Sequence, residues 1–178
     1  PVLYNLGIAY SELGQYDEAI IRLKRTVQLD PKHAHAWVGI GTAYHRMRKP
    51  DQALEAFEKA VEANPDDGYT RRNLGGLLIG FKRIHEAVTH LRRALNLMPD
   101  DPQAIFGLAT ALEQLGTREA DEEADGLYLR FIEEHPNSPM AEQAEKARTA
   151  FAHRRLRASS VGGFRPDVMM YISEALQT

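Results

Sequence analysis

Residues 33–46 read HAHAWVGIGTAYHR, three histidines set around small residues and aromatics. Three readings compete for this run: a metal site, a nucleotide-binding loop, or the opening helix of a packed helical unit. Spacing rejects the first. On a helix His35 and His45 are separated by about 15 Å of rise, whereas two ligands of one zinc each lie about 2.1 Å from it. His33 precedes the helix, and the spacing of His85 and His90 turns those two apart instead of stacking them. A phosphate loop fails as well, because GIGTAY ends in Tyr44 where the nucleotide fingerprint needs glycine, and no strand precedes it. The later GGLLIGFK places Phe81 where a phosphate-binding lysine would be required. No metal and no cofactor is expected. The third reading remains, and it has copies elsewhere in the chain.

Pro31, Pro65, Pro99 and Pro136 close the runs VQLDP, VEANP, LNLMP and FIEEHP at spacings of 34, 34 and 37. Upstream of each proline the same columns recur: bulky Leu6, Ile40, Leu74 and Leu108, small Gly7, Gly41, Gly75 and Ala109, then Tyr10, Tyr44, Leu78 and Leu112. A second set follows a turn, with Ala19, Ala53, Ala87 and Ala124 ahead of bulky Leu23, Phe57, Leu91 and Tyr128. Apolar positions three and four apart in both halves predict two helices per unit, and the small columns let them approach closely. The turns agree, since Gly14 suits a helix C-terminus and Pro50 suits a first helical turn.

These columns, with WVGIGTAY at 37–44, resemble the tetratricopeptide repeat family, whose period is the one found here. The resemblance covers about three-quarters of the chain and implies an all-α, right-handed α-solenoid. Its four units are expected at 1–33, 34–67, 68–101 and 102–137. Three departures stand out: Arg71 replaces the bulky opening residue of the third unit, Ala109 replaces glycine, and TREADEEA at 117–124 is expected to lengthen the inner turn of the fourth.

Beyond Pro139, MAEQAEKARTAFAHRRLR carries Met140, Ala144, Ala147 and Phe151 on one face, which predicts a capping helix over 138–157 that covers the last apolar surface of the array. Its HRRLR run reads as cations against a helix C-terminus more readily than as a nucleic-acid site. A flexible connector and a short terminal helix are expected over 158–178. The chain begins inside a helical pattern, so a piece of a longer protein is expected.

Stacked helix pairs generate a concave surface walled by their first helices. In the family, the second, fifth, ninth and twelfth residues of each unit point into it. Transferred by register, the resemblance selects Tyr4, Ile8 and Ser11, then His35, Val38, Thr42 and His45. The later units contribute Tyr69, Arg72, Gly76 and Ile79, then Gln103, Phe106, Thr110 and Glu113, and neighbouring Arg46 and Asn73 are expected to join them. Some family members grip a peptide's C-terminal carboxylate with lysines and asparagines. Here Tyr4, Ile8 and Gly39 stand where that arrangement needs those residues, so it is not expected. Apolar anchors beside histidines and arginines suit instead a peptide with apolar side chains and some acidic character. If His35, His45 and Arg46 face an acidic ligand, protonation below about pH 6.5 should strengthen binding. Gly76 and Gly80 each cost a helix about 1 kcal/mol. Two explanations stay open for them, close approach of a ligand backbone and close packing on the next helix or simple local softness.

Composition sets the outer bounds. A chain of 178 residues that is 43% hydrophobic and 26% charged should fold, and a net charge of -3 gives no global attraction to nucleic acid or anionic lipid. Without cysteine there are no disulfides or thiol nucleophiles. No apolar run is long enough to span a membrane. None of the few serines lies in a nucleophile-elbow context, and the acidic DEEAD run at 121–125 reads as a solvated turn. The expected function is a non-catalytic scaffold or adaptor that takes a peptide or partner protein in its groove. The alternative is a regulatory or substrate-presenting arm of a larger enzyme, and self-association through the terminal faces is a further expectation. Nothing names a compartment, and the cytoplasm is the default expectation.

Overall fold

The computed structural model describes residues 2–162, with side chains as far as Arg154. Most of the expected connector, and the short terminal helix, lie outside the described residues. Among the described residues are nine α-helices and no strand. The first pair is α1 (Val2–Glu12) and α2 (Tyr16–Leu29), the second α3 (Ala34–Arg46) and α4 (Pro50–Ala63). The third is α5 (Gly68–Gly80) and α6 (Ile84–Leu97), the fourth α7 (Pro102–Leu115) and α8 (Arg118–Glu134), and a single α9 (Ala141–Gly162) follows. Each second helix packs on its own partner and on the first helix of the next unit, and α9 packs on α8, so the chain is an α-solenoid. First helices also touch one another, α1 on α3 and α5 on α7, whereas α3 and α5 make no comparable contact.

Local chemistry sets the boundaries of these elements. The residue before each closing proline cannot stay helical, because the pyrrolidine ring clashes with its backbone. Asp30, Asn64, Met98 and His135 accordingly leave the helix at φ -138, -140, -136 and -133. One column holds the N-caps of successive first helices. His33 Nδ1 accepts from the Ala36 N–H at 3.2 Å, the Asp67 carboxylate from Tyr69 and Thr70, and the Asp101 carboxylate from Ala104. His33 is therefore a capping group, bound to its own helix.

Another column forms the inner turns. Gly14, Arg48, Lys82 and Gly116 recur at the same register and all adopt left-handed backbone, at φ 74, 56, 59 and 66. Glycine takes this conformation freely, whereas each of the two cations there carries roughly 1 kcal/mol of backbone strain.

Between helices the packing is an interlock of bulky and small residues. A Cβ added to Gly7 would lie 2.7 Å from Leu23 Cγ, and one added to Gly39 of the next unit would lie 2.8 Å from Leu23 Cδ1. Leu91 is held in the same way between Gly75 and Gly107, at 2.5 and 3.1 Å. At Gly7 and Gly75 a methyl group would collide with a leucine Cγ, and at Gly39 and Gly107 the leucine would have to shift, so glycine is favoured where the helices close on these leucines. The departure at Arg71 also has its explanation. Trp37 Nε1 donates to the Pro31 carbonyl at 2.9 Å, and one unit later Arg71 Nε donates to the Pro65 carbonyl at 2.5 Å. The guanidinium reproduces the indole's bond to the preceding turn.

Two expectations change. The three extra residues of the fourth unit extend α8 to 17 residues instead of lengthening its turn, because Gly116 keeps the usual turn position and Thr117 caps the helix through the Ala120 N–H. Acidic residues follow directly, where the helix N-terminus favours them. The DEEAD run is thus helical and ion-paired: Glu122 with Arg118, Glu123 with Arg92, Asp125 with Arg148 and Asp121 with Arg154. The second change concerns Arg154, which lies inside α9, since that helix continues to Gly162. Its guanidinium is paired with Asp121 across on α8 and lies 4.7 Å from the Phe151 ring of its own helix, so these contacts hold it in place of a C-terminal dipole.

On the outer side, His90 Nδ1 lies 3.4 Å from Arg71 Nη1. Burial, and then the Arg71 charge, hold the imidazole pKa below its ordinary value. The unfolded chain therefore takes up a proton here more readily than the folded chain. Stability from this site is complete above about pH 6.5 and is lost as pH falls through the lowered folded value. Urea midpoints measured from about pH 8 down to pH 5 should fall less steeply for His90→Gln than for the parent chain. Equal slopes would show that His90 does not contribute.

Candidate functional site

The concave face of units two to four holds a groove of about 1010 Å³. Of the residues expected to face a partner, it brings together Thr42, His45, Arg46, Arg72, Asn73, Gly76 and Gln103. The others lie elsewhere. Tyr4 and Ile8 are partly buried against the cluster around Leu23, with the Tyr4 ring 4.9 Å from His33. Val38 packs on the main core. Phe106 is wedged against Tyr128 and Phe131, at ring separations of 5.5 and 5.2 Å. The Thr110 hydroxyl donates to the Phe106 carbonyl at 2.9 Å. His35 is exposed outside the groove, and Tyr69 is exposed with the Arg72 guanidinium 5.2 Å from its ring.

Register reasoning missed Arg48, because it lies on a turn, and Phe57 and Leu91, because they belong to second helices. One column changes at the groove. Gly39, Asn73 and Gly107 are equivalent positions on successive first helices. Where the glycines stand, a leucine is gripped from both sides. Asn73 stands instead in the lining of the groove, together with Phe57, Leu77 and Leu91. Asn73, set between Gly39 and Gly107 in that column, was the available signal.

Charge in the groove is unevenly satisfied. Arg72 is tied to Asp101 at 2.9 Å, with both side chains largely shielded at 18% and 14% exposure, and it also donates to Asn73 Oδ1. Arg46, Arg48 and His45 are exposed, and their side chains make no hydrogen bond or ion pair among the described residues. No carboxylate lines the groove.

Gly76 sits on the rim in open space, since a Cβ added there or at Gly80 would meet nothing within 4 Å. Close packing on the next helix therefore explains neither glycine. Among the described residues, no three histidine or acidic side chains converge as a metal site would need. No helix there is long and apolar enough to cross a membrane.

Comparison with known proteins fits this architecture. Models of the tetratricopeptide repeat match residues 4–68 and 74–139, and a second such model matches 44–103. The chain belongs to the tetratricopeptide repeat family. Among solved structures it is similar to YrrB, described as a TPR protein with an unusual peptide-binding site. That likeness has a TM-score of 0.78 at 23% identity, over 86% of this chain and 76% of that one. It is similar to MamA of AMB-1, with a TM-score of 0.62 at 30% identity over 71% of each chain. It is also similar to the first TPR region of Spaghetti (RPAP3), which was solved with the HSP90 peptide SRMEEVD. There the TM-score is 0.61 at 26% identity, over 65% of this chain and 92% of that one. No curated protein sequence matches the chain.

Two adjacent glycines separate structure from function. Gly75→Ala drives a methyl into Leu91 and should destabilise the fold by about 1–3 kcal/mol. Gly76→Ala enters open space and should stabilise it by about 0.5–1 kcal/mol. Denaturant unfolding of the two variants checks the opposite signs.

Proposed function

We propose that this protein is a non-catalytic adaptor that holds a segment of a partner protein in the groove of units two to four. One observation carries the reading: the rim offers hydrogen-bonding and cationic groups, while half-buried Leu77 lies at the floor above the core residues Phe57 and Leu91. That combination suits a peptide that buries one or two apolar side chains and is oriented by polar contacts. A groove preformed by packed helices also limits the ordering entropy lost on binding. The peptide-bound Spaghetti domain supports the same use of a related fold.

Gly76→Trp is a suitable block, because the indole would project from open space on the rim without disturbing the core. Affinity capture with the parent chain should recover a partner that the variant loses, while thermal unfolding of the variant stays close to the parent. Recovery of the same proteins by both chains would refute a groove-centred function.

A further inference from the structure

We infer that the groove selects an acidic partner segment, with a carboxylate seated between Arg46 and Arg48 at the inner turn of unit two and an adjacent apolar side chain on Leu77 at the floor. This deepens the adaptor reading and rests on it.

Charge matching is the first support. The chain carries a net charge of -3, yet the groove is lined by three arginines and no carboxylate. Arg72, the deepest by register, is already neutralised by Asp101. Arg46 and Arg48 remain unmatched, on one turn and facing one cavity. Their guanidinium forks suit a carboxylate, and the surrounding helices screen such a pair less than open solvent would. The opposite edge of the solenoid supplies a contrast. At the turns between units, Asp66, Asp100 and Asp101 are each paired with an arginine of this chain, Arg93, Arg130 and Arg72. At the inner turns Arg83 and Arg118 are likewise paired within the chain, with Glu58, Glu86 and Glu122, so Arg46 and Arg48 are the inner-turn arginines left without a partner among the described residues.

Shape is the second support. An anion site alone would fit a nucleic-acid phosphate, but the floor beside these arginines is apolar and the rim opposite is the bare backbone of Gly76. An apolar side chain next to an acidic one fills both parts, whereas a phosphodiester chain leaves the floor unused.

The test uses the full chain and fluorescence anisotropy with labelled short peptides: a leucine flanked by glutamates, and the same peptide with glutamines. The glutamate peptide should bind about tenfold more tightly at low salt, and the gap should close at high salt. The double variant Arg46→Gln with Arg48→Gly should abolish the gap by bringing the glutamate peptide down to the affinity of the glutamine peptide. Glycine also relieves the left-handed backbone at position 48, so this variant should fold at least as well as the parent. Equal binding of the two peptides, a gap that survives in the double variant, or tighter binding of an oligothymidylate would each overturn the inference. If the glutamine peptide binds without a charge preference, the groove reading stands and only this inference falls. If neither peptide binds, both fall.

Discussion

Leu91 lies between Gly75 of its own unit and Gly107 of the next, and Leu23 lies likewise between Gly7 and Gly39. In each case one branched side chain fills a socket formed by the bare backbone of two neighbouring first helices. That contact fixes the distance within a helix pair and the distance between pairs together. Each unit is then placed by its neighbour, as expected where a repeat cannot bury its apolar face alone. The curvature of the array, and hence the inner wall, follows from repeating this contact.

The same contact is interrupted at the proposed site. At the junction of units two and three the bulky residue is Phe57, and the second half of its socket is Asn73 in place of glycine. Helix α5 still packs on α4 there, and Asn73 lines the groove beside Phe57 and Leu91. The proposed site thus lies where the packing rule is broken, as imperfect packing is expected at functional sites in general.

Polar groups follow a parallel division. Most arginines on the outer face and at the turns between units hold one helix to another, through Asp66, Asp100, Asp121, Asp125 and Glu123. Even Arg71, an unusual opening residue, keeps the bond that Trp37 makes to the proline turn before it. Arg46 and Arg48 stand apart from this network, and they stand at the groove.

The period, the helix pairs and the closing prolines were legible in the sequence, because they depend on local steric rules. Proline expels its predecessor from a helix wherever it occurs, and apolar spacing names the buried face of any amphipathic segment. Half of the groove was also legible, since register on a helix decides which way Thr42, His45, Arg46, Arg72, Asn73, Gly76 and Gln103 project. Tertiary structure alone decided the rest. Phe106 and Tyr4 satisfy the rule for inner-face positions, yet neighbouring helices claim them. Arg72 carries the same charge as Arg46, but a carboxylate twenty-nine residues away in sequence neutralises it. Whether a side chain is spent on the fold or left for a partner depends on what stands opposite it, and that is set by packing between helices that no local pattern encodes.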